Sequence, residues 1–138
     1  MQVSQAMSEV VVTVGPQHTL QDAARLMAAS NVGAAVVLDP ELPGAGIISE
    51  RDISSSVGAG EKPAEESVAG HMASNVVYAD SAWSLEKAAE TMVNHGFRHL
   101  VVLDGSATAG VISMRDIVRA WVSDGATCDL PAVELAGG

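Results

Sequence analysis

The sequence predicts an α+β protein built from two tandem β-α-β-β-α units, packed with pseudo-two-fold symmetry into one module. Three observations carry this. One strand-to-helix junction occurs twice, at Gly46-Ile47-Ile48-Ser49-Glu50-Arg51-Asp52-Ile53 and Gly110-Val111-Ile112-Ser113-Met114-Arg115-Asp116-Ile117, with six of eight positions identical. Upstream, at an offset of 65, Met7, Leu20, Met27 and Val36-Val37-Leu38-Asp39 match Met72, Leu85, Met92 and Val101-Val102-Leu103-Asp104, among 11 identities over residues 7–39. Finally, within each copy the apolar pattern passes from short β-rich runs to a helical stripe and back. A period near 65 exceeds the roughly 20–50 residues of solenoid repeats, so two similar domains fit better.

Taken in order, Val10–Val14 is a β-rich run stopped by Gly15-Pro16. Leu20, Ala23, Ala24 and Met27 form an i, i+3, i+4, i+7 stripe, and Thr19 with Asp22 is a capping signal. That predicts a helix from Thr19 to Asn31 or Gly33. Ala34–Leu38 then reads as a buried strand, Pro40–Gly44 as a turn, Ala45–Ser49 as the next strand, and Glu50 as the start of a second helix. The second copy predicts a strand over Asn75–Ala79, a helix over Ser84–His95, strands over His99–Leu103 and Ala109–Ser113, and a helix to Val122. The domains are expected at 7–58 and 72–123. A linker at 59–71 has a flexible Gly58–Lys62 loop and a short helix opened by Pro63, and the tail at 124–138 has no clear periodicity. Each half has about 60 residues, a size at which burial is marginal, so the halves should pack against each other around a cleft.

Composition excludes several classes of function. The chain is 48% hydrophobic but only 3% aromatic, so its core must be aliphatic. Net charge is −10, and the seven basic residues form no run, which argues against a nucleic-acid partner. Apolar runs fall far short of the ~20 residues a membrane span needs, and the first residues lack a signal peptide's pattern, so a cytoplasmic location with no membrane partner is expected. Cys128 is the only cysteine, which excludes an intrachain disulfide and a Cys-rich metal site.

Of the candidate chemical groups, Ser49-x-x-Asp52 and Ser113-x-x-Asp116 stand out for their duplication. The pattern is that of a helix capping box, and a carboxylate at a helix N-terminus can also accept hydrogen bonds from a ligand; both roles can coexist. Arg98 reads either as an anion-binding group or as an exposed strand-edge charge. His95 and His99 are four apart, but Gly96 breaks the helix between them, so no metal site is expected. Met27 and Met92 lie on core stripes, and Trp121 is either core or a dimer contact. There is no G-x-S-x-G elbow, Walker loop or H-E-x-x-H, so the chain is expected to bind rather than catalyse.

This arrangement resembles the CBS domain pair, or Bateman module, named after cystathionine β-synthase. The resemblance rests on Met7 and Met72 before each first strand, the β-α-β-β-α order, both G-h-h-S-x-x-D junctions, and Gly96-Phe97-Arg98-His99-Leu100-Val101-Val102-Leu103-Asp104 as a second-strand motif. It covers about residues 7–123.

The resemblance implies a non-catalytic sensor that binds AMP, ADP or ATP, and sometimes S-adenosylmethionine or NADH, in the cleft between copies. It implies that Asp52 and Asp116 each take a ribose diol, that Ser49 and Ser113 touch ribose or phosphate, and that Arg98 and His99 lie toward phosphate. Val12 and Thr13 (with Val11), and Val76, Val77 and Tyr78, would flank adenine. A homodimer and an unidentified protein effector are implied as partners, with no required cofactor. Copy one has Gly33-Ala34-Ala35 where copy two has Arg98-His99-Leu100, which marks the Asp116 site as the better binder; scarce cations favour AMP over ATP. Met7-Ser8 keeps a hydroxyl that Met72-Ala73 lacks. The competing reading is a dimerisation scaffold with empty clefts.

Overall fold

The computed structural model describes residues 1–9, 12–41, 45–73 and 76–124. Chain order is α1 (Val3–Ala6), β1 (Thr13–Val14), α2 (Leu20–Ser30), β2 (Ala34–Leu38), β3 (Ala45–Ser49), α3 (Glu50–Gly58), a 3-10 turn (Val68–Gly70), β4 (Tyr78–Asp80), α4 (Leu85–His95), β5 (His99–Asp104), β6 (Ala107–Ser113) and α5 (Met114–Ser123). The β-α-β-β-α order therefore holds in both copies. Residues 10, 11, 42–44, 74, 75 and 125–138, which include parts of the expected first strands, the turn after Pro40 and the tail, lie outside the described residues.

Each half forms its own three-stranded sheet, ordered β1-β2-β3 and β4-β5-β6. The first pair in each is parallel and the second antiparallel, with Val36 opposite Ile47 and Val101 opposite Val111. The helices begin where their caps dictate. Thr19 Oγ1 accepts the Asp22 amide at 3.1 Å while Asp22 Oδ2 accepts the Thr19 amide, also at 3.1 Å. That backbone hydrogen bond is the main reason the Asp22 carboxyl titrates below its ordinary range. The second and fourth helices, α2 and α4, stop in the left-handed conformation, at Asn31 (φ 54°) and Gly96 (φ 69°). These equivalent positions use the two residue types that best tolerate that cap.

The cores show how the halves are joined. Leu20, Ala23, Met27, Ala35, Val37 and Ile48 are buried in the first, and Leu85, Ala88, Met92, Leu100, Val102, Ile112 and Ile117 in the second. Yet fully buried Val3, from before the first repeat's strand, packs in the second core, and fully buried Val68, from before the second repeat's strand, packs in the first. Each such burial is worth about 1.5–3 kcal/mol. The backbone follows the same exchange. Val3 and Ser4 donate to Trp83 and Ser81 carbonyls (2.8 and 3.0 Å), and Val68 and Ala69 donate to His18 and Pro16 carbonyls (2.8 and 3.0 Å). Ser8 then pairs with Val111 on β6, and Ala73 with Ile47 on β3. The segment leading into each repeat is thus an element of the other repeat.

This exchange explains the glycine that opens each duplicated junction. A Cβ on Gly110 would run into the Ser8 carbonyl, and one on Gly46 would meet Met72 Sδ at 3.2 Å and the Ala73 carbonyl at 3.4 Å. Both glycines have ordinary φ; what they provide is room for a crossing backbone. The short helix expected at Pro63 is a turn, with Glu65 and Glu66 amides donating to the Lys62 carbonyl, and Gly58–Lys62 is held by the buried Ser56 hydroxyl donating to Glu61 Oε1 at 2.9 Å. Trp121 is half-buried against the second core. No helix among the described residues is long and apolar enough to cross a membrane.

Candidate functional site

Two cavities open between the repeats, and each carries one of the duplicated aspartates. The first, of about 250 Å³, is lined by Ser49, Asp52, Ile47, Ala73, Val76, Val77, Phe97, Arg98 and His99, among others. The second, of about 460 Å³, contains Ser113, Asp116, Ser8, Val12, Gly33 and Ala34, with Arg98, Arg115 and Arg119. Each cavity therefore takes its strand-to-helix junction from one repeat and its first-strand approach from the other. The cause is the exchanged segment: Ala73 is held on β3, so residues 76–77 enter beside Asp52, and Ser8 is held on β6, so Val12 enters beside Asp116.

Val76 and Val77 stand with Ser49 and Asp52, not with Ser113 and Asp116, while Val12 stands with Asp116. Arg98 and His99, the residues that favoured Asp116 in the sequence, line both cavities. Thr13 and Tyr78 line neither. Thr13 is exposed on β1. The Tyr78 hydroxyl accepts from the Ala45 amide at 3.0 Å and donates to the Ala45 carbonyl at 3.1 Å, fastening β4 of one repeat to β3 of the other.

Ser49 and Asp52, like Ser113 and Asp116, form true capping boxes. Asp52 Oδ2 accepts from the Ser49 amide at 2.8 Å and the Ser49 hydroxyl at 3.0 Å. Asp116 Oδ2 accepts from the Ser113 amide at 2.8 Å. The capping role and a ligand role are compatible because capping occupies a single oxygen. The other oxygens differ: Asp116 Oδ1 lies 3.6 Å from Arg119, whereas Asp52 Oδ1 has no hydrogen bond or ion pair among the described residues. A diol approaching Asp52 thus meets a carboxylate oxygen with open lone pairs above an apolar floor of Ile47, Val76 and Val77.

Arg98 makes no side-chain hydrogen bond or ion pair among the described residues and is exposed. His99 is half-buried at the wall, where Gly33 leaves it room: a Cβ there would sit 3.1 Å from its Nε2. Burial is the main cause holding the His99 pKa below its ordinary value, against the opposing pull of Glu50 and Asp116. His95 lies apart, its Nδ1 2.9 Å from the Thr91 carbonyl and its ring stacked on Phe97. Of the described residues, Glu61, Glu66 and His71 form the one group with metal-like spacing, which sequence reasoning missed because it spans the linker. His71 Nε2 lies 2.9 Å from Glu66 Oε1, and this bond, followed by the one with Glu61, lowers the Glu66 pKa. The trio's own hydrogen bonds account for it as a clasp on the linker.

Paired three-stranded sheets, exchanged entry segments and two inter-repeat cavities define a tandem two-repeat module. The CBS domain model matches residues 3–58 and 66–123, and the chain belongs to the CBS domain family. A CBS domain-containing protein of Bacillus subtilis, YhcV, is 31% identical over 83% of this chain and 81% of its own length. A putative signal-transduction protein with CBS domains from Burkholderia ambifaria superimposes with a TM-score of 0.82 at 30% identity, covering 90% of this chain and 96% of that one. A CBS domain pair solved in complex with 5′-methylthioadenosine and S-adenosyl-L-methionine shares the fold, with a TM-score of 0.79 at 20% identity, covering 90% and 98% of the two chains.

Proposed function

We propose that this protein is a ligand-sensing module that binds an adenosine nucleotide, AMP foremost, in the Asp52 cavity and passes the resulting change of shape to a protein partner. The observation that carries the reading is the convergence, in one small inter-repeat cavity, of an apolar slot with a carboxylate oxygen and a guanidinium that have no partner among the described residues. Such a slot with a few placed polar groups is the usual form of a small-molecule site. Asp52 would accept the ribose hydroxyls, Val76 and Val77 would flank the base, and Ser49 and Arg98 would face the phosphate. The small volume and the two cations at its wall, Arg51 and Arg98, favour one phosphate over three. The adenosine ligands carried by the structurally similar pair support the ligand class.

Because both repeats supply the walls, a ligand stabilises one relative placement of the halves, and a partner that distinguishes placements reads its occupancy. A homodimer through α4 and α5 is part of the proposal: Val93, Val118 and Val122 are 70%, 56% and 59% exposed on these helices. No step of this reading requires catalysis. The test is a series of thermal melts with AMP, ADP, ATP, S-adenosylmethionine and NADH. AMP at about 100 times its dissociation constant should stabilise the native state by ~2.7 kcal/mol. Absence of a shift with all five ligands would leave the dimerisation scaffold as the better reading.

A further inference from the structure

Three side chains, Glu50, Arg98 and His99, line both cavities, so the two share one wall. The symmetry of the fold would allow two independent walls. In the repeat, however, the counterparts of Arg98 and His99 are Gly33 and Ala34, and the counterpart of Glu50 is Met114. Gly33, Ala34 and Met114 all line the Asp116 cavity, and none of their side chains can donate a hydrogen bond to an anion. The Asp116 cavity thus lacks this pair of donors from its own side and borrows them across the wall. The missing side chain at Gly33 is what lets this happen, since a Cβ there would press on His99 Nε2 and come within 3.4 Å of Glu50 Cδ.

We propose that the two cavities compete for the single guanidinium of Arg98, so that an anionic ligand in the Asp52 cavity weakens the binding of a second one in the Asp116 cavity. This rests on the nucleotide reading above. Arg98 is exposed and unpaired among the described residues, so its long side chain is available to either side. A guanidinium engaged bidentately by one phosphate has its donor fork committed to that phosphate. The second phosphate then meets a wall that presents the Glu50 carboxylate and, beyond it, the first anion, so Coulomb repulsion adds to the loss of Arg98. Arg115 and Arg119 remain in the Asp116 cavity, so the second event is weakened rather than abolished. A neutral nucleoside makes no claim on Arg98 and should escape the coupling. By linkage the effect is reciprocal.

Calorimetric titration of the full chain with AMP, and in parallel with adenosine, tests this. AMP should bind in two steps, and blocking the Asp52 cavity should tighten the remaining site by about tenfold relative to the second step of wild type. Two variants make the block: Asp52→Ala, which also removes a cap, and Val77→Trp, which leaves the cap intact and fills the apolar slot with an uncharged ring that makes no claim on Arg98. Adenosine binding at the Asp116 cavity should be the same with or without the block, and Arg98→Gln should abolish the AMP difference. Two AMP sites whose affinities ignore both blocks would overturn the competition while leaving nucleotide binding intact. A single AMP site, lost on blocking the Asp52 cavity, would overturn it as well. No heat with either ligand would overturn the nucleotide reading and this proposal together.

Discussion

The Asp52 and Asp116 cavities began as copies of one design, and the differences between them are instructive. Both have a capping box at the mouth, a crossing segment along one side and an aspartate held by a single oxygen. They diverge in what surrounds that aspartate. Asp52 opens onto Ile47, Val76, Val77 and Phe97 in a cavity of about 250 Å³, while Asp116 faces Arg119 in a cavity of about 460 Å³ that also holds Arg115 and Asn31. The first cavity is a small, largely apolar slot; the second is larger and more polar. The two repeats share the scaffold that positions the carboxylate and differ in the residues that line the space around it.

The comparison can be pressed at several points. The largest expected effect is at the two strand glycines. Gly110→Ala sets a methyl against a backbone carbonyl that cannot swing away, whereas Gly46→Ala first meets the flexible Met72 side chain. Gly110→Ala should therefore destabilise by about 1–3 kcal/mol and Gly46→Ala by clearly less, read from urea unfolding. Equal losses would mean that the two crossings are equally tight.

Next come the caps. Ser49→Ala and Ser113→Ala should each cost about 1 kcal/mol without ligand. In saturating AMP, Ser49→Ala should lose further stability relative to wild type, because the same serine faces the ligand. If the penalty for Ser49→Ala is unchanged by AMP, that side chain is only a cap.

Tyr78 separates a structural role from a binding one. Tyr78→Phe removes both hydrogen bonds to Ala45 and should cost about 1 kcal/mol in unfolding while leaving the AMP dissociation constant unchanged. A weakened affinity without a stability change would return Tyr78 to the wall of the site.

The smallest effect concerns pH. His99 has a folded pKa held below its unfolded value of about 6.5, mainly by burial. Its contribution is fully present above that unfolded value and is lost as pH falls through the window down to the folded pKa, because only the unfolded chain takes up the proton. Wild type should lose more melting temperature between pH 7.5 and 5.5 than His99→Gln. Parallel losses would show that burial of His99 has no part in the acid sensitivity.

Much of this molecule could be read in its sequence, because the relevant physics is local. The stripe Leu20, Ala23, Met27 and the Thr19/Asp22 pair specify α2 within a dozen residues, and the duplicated Ser-x-x-Asp specifies both cap and carboxylate. The grouping of site residues was not local. Val76 and Val77 belong to the same repeat as Asp116, but the pairing of Ala73 with Ile47 brings them beside Asp52. A clue was present in Gly46 and Gly110, since a glycine inside a β-branched run signals that another backbone passes close by. Val3 and Val68 offered a second clue, matching at the offset of 65 ahead of each methionine. The Tyr78 clasp had no such signal, because a hydroxyl reaching 33 residues along the chain leaves no periodic trace.

The central claim is that the binding cavity is assembled across the repeats. Titration of AMP into the uniformly nitrogen-labelled protein, followed amide by amide, tests it most directly. The account predicts that Ser49, Asp52, Ala73, Val76 and Val77 shift together in the first equivalent, before Ser8, Val12, Ser113 and Asp116. Val76 and Val77 shifting with Ser113 and Asp116 while Asp52 stays still, or no amide shifting at all, would contradict it.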